Sequence, residues 1–154
     1  MTDRAILHAS FTIERTFPVP PERVFQAFAD PAEKAKWWGG GDWEKLESTF
    51  DFRTGGSETD VARSPEGMEV GFYLRYYDIV PNERLVYSYD MTNGPERASL
   101  SVATIEFEPT DDGGTRFVHT EQGTFLDGHH SPEGREEGTN GLIDQLGAYL
   151  ATLT

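Results

Sequence analysis

The sequence contains no cysteine, which excludes disulfide bonds, thiolate metal sites and cysteine nucleophiles. Basic residues are scarce, because 13 Lys and Arg stand against 27 Asp and Glu and the formal net charge is -14. This balance argues against partners that carry dense negative charge. We therefore expect the chain to bind neither nucleic acid nor an anionic membrane surface.

Long apolar runs are also missing, and none is long enough to span a bilayer. The N-terminal stretch MTDRAILHAS lacks the apolar core of a signal peptide, so we expect a cytoplasmic protein. The chain has 154 residues and no internal repeat or evident linker. We therefore expect residues 1–154 to form a single domain with a sizeable core.

Familiar cofactor and catalytic motifs are absent: there is no Gly-x-Gly-x-x-Gly, no phosphate loop and no nucleophile elbow. Gly39-Gly40-Gly41 follows a short helix and predicts a turn. Residues 127–137 combine His129 and His130 with several acids, but adjacent histidines point apart and the spacing is not that of a zinc helix. We expect a solvated loop with a helix cap, no metal site and no cofactor.

Alternating apolar and polar residues predict seven strands. Their predicted ranges are 8–17, 46–53, 57–63, 70–80, 85–91, 98–108 and 115–125. Two short helices are predicted to begin at Pro20-Pro21-Glu22 and at Asp30-Pro31. Consecutive strands with segregated helices indicate the α+β class, with one antiparallel sheet that twists and curls.

A long helix is predicted over residues 131–154, with Ser131 as N-cap and Pro132 in the first turn. Its apolar stripe is formed by Leu142, Leu146, Tyr149, Leu150 and Leu153. Four glycines in this segment (Gly134, Gly138, Gly141 and Gly147) indicate close backbone approach or open space, unless the first half is frayed. The helix is expected to cover the concave face of the sheet, and any gap between them would be a cavity.

Five segments, in this order, resemble a known family: FTIERTFPVPPERVFQAFADPAEKAKWW, FDFRTGG, DIVPNERLVYSY, TRFVHTEQGTF and EEGTNGLIDQLGAYL. The chain is similar to the Hsp90-ATPase-activator-like domains of the helix-grip superfamily, which also contains lipid-transfer domains, pollen-allergen-like proteins and polyketide cyclases. The resemblance implies an α+β helix-grip fold: a curved antiparallel sheet of about seven strands around a long C-terminal helix, with an internal pocket. It does not assign an activity, because one scaffold hosts unrelated functions.

The last predicted strand carries the clearest candidate chemistry. If Phe117 faces the core, alternation turns His119 and Glu121 the same way, roughly 6 to 7 Å apart at Cα. A carboxylate at this distance can orient an imidazole for acid–base catalysis. The alternative is a satisfied polar pair that orients a ligand or binds water.

The strand after Gly55-Gly56 is unusually polar. In the resembled family the second residue after the glycine pair points inward; here it is Glu58, with Asp60 on the same face. An acidic wall facing a polar part of a ligand is one interpretation, and an edge strand with solvated charges is the other. Arg75 on the next strand is a candidate to neutralise one of these acids.

Aromatic residues, 12% of the chain, suit a pocket for a flat apolar molecule. Tyr73 and Tyr77 share a face with Ile79, which matches an inward position of the family, so we predict that both tyrosines line the pocket. Phe72, Leu74 and Tyr76 would then form an apolar outer patch and a possible homodimer interface. Of Trp37 and Trp38, one is expected to pack inward and the other to cover an opening.

The leading hypothesis is the binding of a small hydrophobic or aromatic molecule between the sheet and the long helix. The predicted ligand-binding residues are Trp37, Trp38, Glu58, Tyr73, Tyr77, Tyr89, His119, Glu121 and Phe125. One alternative is a polyketide-cyclase-like enzyme that uses His119 and Glu121 as acid and base. The other is an interaction module of the Hsp90 co-chaperone type.

Overall fold

A computed structural model describes residues 4–39 and 41–154, and in this part of the chain it has seven strands and three helices. In chain order they are β1 (Ile6–Phe17), α1 (Pro21–Ala29), α2 (Pro31–Lys34), β2 (Glu44–Phe50), β3 (Ser57–Arg63), β4 (Glu69–Val80), β5 (Arg84–Asn93), β6 (Glu96–Pro109), β7 (Thr115–Leu126) and α3 (Pro132–Ala151). The predicted α+β class and element order are confirmed. The predicted β2 extended too far, because the chain leaves the sheet after Phe50.

The strands form one antiparallel sheet in the order β1-β7-β6-β5-β4-β3-β2. Strands β2 to β7 follow one another as a meander, whereas β1 pairs with β7 at the opposite edge. The segment between β1 and β2 must therefore cross the whole sheet. It carries α1 over the buried face, where Val24, Phe25 and Phe28 join the core.

Side-chain caps fix where two of the helices begin. The Asp30 carboxylate accepts hydrogen bonds from the backbone N–H groups of Ala32 (2.8 Å) and Glu33 (3.4 Å) at the start of α2. The Ser131 hydroxyl accepts one from Gly134 N–H at 2.9 Å at the start of α3. Both helices have proline at their first position, as the sequence predicts.

Helix α3 is regular from end to end, so the frayed alternative is wrong. Its buried residues are Thr139, Ile143, Leu146 and Leu150. The predicted stripe omitted Ile143 and wrongly included Leu153, which lies beyond the end of the helix and is 39% exposed. Neither α3 nor any other helix among the described residues is both long and apolar enough to cross a bilayer.

The glycines of α3 serve both predicted purposes. A Cβ added at Gly147 would lie 3.2 Å from the Phe17 ring, so the helix approaches β1 closely there. A Cβ added at Gly138 would meet nothing within 4 Å, so space is open beside that turn. In the predicted glycine turn, Gly39 and Gly41 have φ of 74° and 79°, whereas Gly40 lies outside the described residues.

A β-bulge in β4 changes which side chains face inward. Tyr76 pairs with Tyr87 and Asp78 with Val86, so Tyr77 has no partner in the ladder. Because the extra residue shifts the alternation by one, Tyr76 and Ile79 face the same side although they are three residues apart. The prediction that Tyr73 and Tyr77 point inward is therefore wrong, and these side chains are 38% and 57% exposed.

The predicted outer patch fails for the same reason. Leu74 and Tyr76 are 4% and 2% exposed, and Phe72 packs against the core from the inner face. These three side chains therefore offer no apolar surface to a second copy of the chain. The prediction of a homodimer was based on this patch and therefore has no support from it.

Candidate functional site

A cavity of about 300 Å³ lies between the sheet and the N-terminal half of α3. Apolar and aromatic side chains form most of its wall, and a few polar ones stand at one end. The lining residues are Phe28, Trp37, Trp38, Gly39, Phe72, Tyr87, Tyr89, Met91, Ile105, Phe117, His119, Glu121, Gly134, Arg135, Gly138, Thr139, Leu142 and Ile143. This size and composition are typical of a site for a small molecule.

Aromatic rings form a continuous wall on one side of the cavity. Trp38 lies edge-on to Phe72 with ring centroids 5.5 Å apart, and Phe72 lies 4.9 Å from Tyr89. Trp37 is buried, and its Nε1–H donates to the carbonyl of Ala27 at 2.9 Å. Trp38 is only partly buried, which matches the expected division of roles between the two tryptophans.

A single side chain of α3 holds the loop that carries these tryptophans. The Gln145 amide nitrogen Nε2 donates to the carbonyl of Trp37 at 2.7 Å and to that of Gly39 at 2.9 Å. Both carbonyls follow the end of α2, where no helical N–H is available to them. Gln145 therefore fixes the position of the loop beside the cavity.

Strand β7 brings His119 and Glu121 to the polar end of the cavity. Both are buried, at 4% and 2% exposure, as alternation from the fully buried Phe117 predicts. His119 Nε2 lies 3.0 Å from Glu121 Oε1. The second carboxylate oxygen, Oε2, accepts a hydrogen bond from the Tyr89 hydroxyl at 2.5 Å.

Arg135 enters this cluster from α3 and was not predicted from the sequence. Its guanidinium donates to the hydroxyls of Ser99 (2.7 Å) and Tyr89 (3.1 Å) and lies 4.0 Å from Glu121 Oε2. It also donates to His130 Nδ1 at 3.2 Å. A sequence signal for this residue was available. Helical spacing puts Arg135, Gly138, Thr139 and Leu142 on one face of α3, and the residues that follow the arginine on that face are small.

Burial raises the pKa of Tyr89; the charge of Glu121 adds to this effect and Arg135 opposes it. Burial likewise raises the pKa of Tyr87 well above its ordinary value. Both phenols are therefore protonated donors at neutral pH. Burial, followed by the nearby charge of Arg135, lowers the pKa of His130, so its Nδ1 remains an acceptor for the guanidinium.

Five of the nine predicted ligand-binding residues come together at the cavity. They are Trp37, Trp38, Tyr89, His119 and Glu121. Phe125 is buried beside the cluster, where its ring lies 5.2 Å from the Arg135 guanidinium carbon. Tyr73 and Tyr77 are on the other face of the sheet, and Glu58 belongs to a different cluster.

Glu58 does point inward, but β3 is an inner strand and not an edge strand. Its Oε1 accepts a hydrogen bond from Lys34 Nζ at 2.6 Å, and the ammonium lies 4.3 Å from the centroid of the Trp38 ring. Arg75, the expected counter-ion, instead stacks over Tyr77 on the outer face. The counter-ion of Glu58 is instead Lys34 of α2, and strand pairing alone does not reveal a partner on a helix.

The Lys34–Glu58 pair is almost closed to solvent, with side chains 8% and 3% exposed. Burial lowers the pKa of Lys34 and raises that of Glu58, and in each case the partner's charge partly opposes the effect. Glu58 Oε2 is buried without a hydrogen-bond partner among the described residues. This acid therefore holds a buried cation, and both residues border a second, smaller cavity of about 130 Å³ that Asp60 also lines.

The loop before α3 gives no sign of a metal centre. Asp127 binds Arg4 and the backbone N–H of Ala5, while His130 accepts from Arg135. Across residues 4–39 and 41–154, no group of three or more His, Cys, Asp or Glu side chains is arranged to hold an ion.

The sequence model of one family, described as "Activator of Hsp90 ATPase homolog 1-like protein", matches residues 18–151. The chain belongs to this family. Its members share a fold that commonly binds ligands, and the helix-grip fold predicted by resemblance is confirmed. A comparison with curated proteins gives no match.

Solved structures support the same assignment. A crystal structure of a protein from Rhizobium loti is 48% identical, has a TM-score of 0.87, and aligns over 94% of this chain and 99% of that one. A putative uncharacterized protein from Rhizobium leguminosarum is 39% identical with a TM-score of 0.91, over 98% and 99%. A protein from Chromobacterium violaceum is 28% identical with a TM-score of 0.71, over 90% and 95%.

Proposed function

We propose that this protein binds a small, predominantly apolar molecule in the cavity between its sheet and α3. The observation that carries this proposal is the void itself, about 300 Å³ in volume and walled largely by aromatic and aliphatic side chains. Well-packed interiors contain few voids larger than a water molecule. At roughly 30 Å³ of liquid volume per water, this one has room for about ten, which is comparable to a bicyclic aromatic molecule.

Helix α3 provides a matched test, because two of its glycines differ in position only. Gly138 lines the cavity, whereas Gly141 does not, and a Cβ added at either meets nothing within 4 Å. Leucine at position 138 would occupy ligand space, while leucine at 141 would make the same change in composition outside the cavity. We expect Gly138→Leu to weaken the binding of naphthalene at least tenfold and Gly141→Leu to leave it unchanged.

Binding is measured by the chemical-shift changes of backbone amides during a naphthalene titration, with each variant's native fold checked by its own spectrum. Shifts in wild type should concentrate at Trp38, Phe72 and Leu142, which line the cavity. The proposal is overturned if neither naphthalene nor a substituted naphthalene binds wild type, if the shifts lie elsewhere, or if folded Gly138→Leu binds as well as Gly141→Leu.

A second candidate, a polyketide-cyclase-like enzyme, is supported by the 3.0 Å contact between His119 and Glu121 at the cavity wall. A carboxylate that orients an imidazole is the usual arrangement for a general base. An enzyme would convert a bound polyketide-like substrate at a rate that Glu121→Gln reduces strongly, whereas a binding protein would release it unchanged. Product analysis by mass spectrometry separates the two.

The family match supports a third candidate, interaction with Hsp90. It predicts that the purified chain raises the rate of ATP hydrolysis by Hsp90. An unchanged rate at saturating concentrations of the chain would rule this candidate out.

A further inference from the structure

The polar atoms of the cavity wall can be divided into those that already have partners and those that do not. Both oxygens of Glu121 are occupied, by His119 and Tyr89. The Tyr89 hydroxyl accepts from Arg135 and donates to Glu121, and the Thr139 hydroxyl donates to the carbonyl of Arg135. These groups are satisfied without a ligand.

Two atoms of strongly buried lining residues remain open: Nδ1 of His119 and the hydroxyl of Tyr87. Neither makes a hydrogen bond with any described residue, and neither is among the atoms sealed from solvent without a partner. Their residues are 4% and 6% exposed and line the cavity. Because both residues border the cavity, it is the space from which a ligand would reach either atom.

The hydrogen-bond network determines which of these open atoms donates and which accepts. A guanidinium is a permanent cation, and in the charge-balanced arrangement of this cluster Glu121 is the carboxylate that offsets it and His119 carries no charge. A carboxylate oxygen only accepts, so His119 must donate from Nε2. Its Nδ1 then presents a lone pair to the cavity. Tyr87, whose pKa is raised by burial, presents an O–H.

We propose that the ligand of this cavity is an aromatic or similarly flat apolar molecule with a hydroxyl group that donates to His119 Nδ1 and accepts from the Tyr87 hydroxyl. This proposal rests on the proposed function and narrows it to a chemical class. A purely hydrocarbon ligand would leave both buried polar atoms unpaired, which is costly away from water. The aromatic wall of Trp38, Phe72 and Tyr89 accommodates the flat body of the molecule.

Three probes of similar size separate the contribution of apolar contact to affinity from that of a donated hydrogen bond. They are naphthalene, 2-naphthol and 2-methoxynaphthalene. The ether retains the oxygen of the naphthol but cannot donate a hydrogen bond. We expect wild type to bind 2-naphthol about tenfold more tightly than either other probe, as one well-made buried hydrogen bond allows. His119→Phe, which keeps a flat ring beside Phe11, should lose this preference while still binding naphthalene. Tyr87→Phe should reduce the preference in part.

A second measurement does not depend on a variant that folds. Long-range ¹H–¹⁵N spectra of the wild-type protein should show His119 protonated at Nε2 only, and its Nδ1 resonance should move when 2-naphthol binds but not when 2-methoxynaphthalene binds. Equal affinity for all three probes, or a proton on Nδ1 in the free protein, would overturn this inference and leave the proposed function intact. If none of the probes binds, the proposed function itself fails.

Discussion

The chain buries two acids on the inner face of its sheet, Glu58 on β3 and Glu121 on β7, and surrounds them differently. Glu58 is sealed against Lys34, with one oxygen lacking any partner among the described residues. Glu121 has both oxygens bonded and lies beside an open void. The same residue type on the same face thus forms a structural ion pair in one place and part of a candidate binding site in the other. The surroundings make this difference, because the second cluster borders a cavity of about 300 Å³ with a largely aromatic wall, whereas the first borders one of about 130 Å³.

The largest predicted effect is at the sealed cluster. Lys34→Met leaves Glu58 buried without its cation, and breaking a buried pair in this way costs roughly 3–5 kcal/mol. We expect a loss of this size in the free energy of unfolding, measured by urea denaturation. The double variant with Glu58→Met should recover most of it, since an apolar pair of similar volume replaces two buried charges. A small loss in the single variant would show that water or a proton relieves the unpaired charge of Glu58.

The corresponding change at the open cluster should cost less. Arg135→Met removes the donor to Ser99 and Tyr89, but water in the cavity can replace it, so we expect a loss of about 1–2 kcal/mol. The same urea experiment measures it. A loss as large as that of Lys34→Met would remove the distinction between the two clusters.

The hydroxyl groups of two tyrosines test the same difference between the two clusters, with smaller expected changes in stability. Tyr89 donates to Glu121 at 2.5 Å, whereas Tyr76 is 3.4 Å from Glu58, which Lys34 already holds. Tyr89→Phe should therefore cost about 1–1.5 kcal/mol and Tyr76→Phe less than about 0.5 kcal/mol. Thermal unfolding followed by circular dichroism compares the two. The reverse order would mean that the Tyr76 hydroxyl is needed to satisfy Glu58.

The smallest predicted effect is a pH dependence at the rim of the open cluster. The pKa of His130 in the folded protein is below its ordinary 6.5, because of burial and then the charge of Arg135. As pH falls below about 6.5, the unfolded chain binds a proton that the folded chain does not, so stability decreases. We expect the unfolding midpoint in urea to fall between pH 7 and pH 5.5, and less so in His130→Asn. If the unfolding midpoint changed equally with pH in wild type and in His130→Asn, His130 would be excluded as a source of the pH dependence.

Local sequence pattern was sufficient for much of this fold. Helix caps, turn glycines and two-residue periodicity placed every strand and helix of the described chain to within a few residues, and alternation from Phe117 placed His119 and Glu121. What it missed depends on tertiary contact. The bulge at Tyr77 inverted the inward face of part of β4, and nothing in a regular alternation reveals one extra residue. Arg135 and Lys34 were missed because the partners of a buried strand acid can come from helices distant in sequence.

The Gln145 side chain has a kinetic consequence. It ties the carbonyls of Trp37 and Gly39 to α3, so helix and loop move apart only when both bonds break. If a ligand enters and leaves on this side of the cavity, its exchange requires that separation, so a slow on-rate accompanies tight retention even when every contact inside the cavity is already in place.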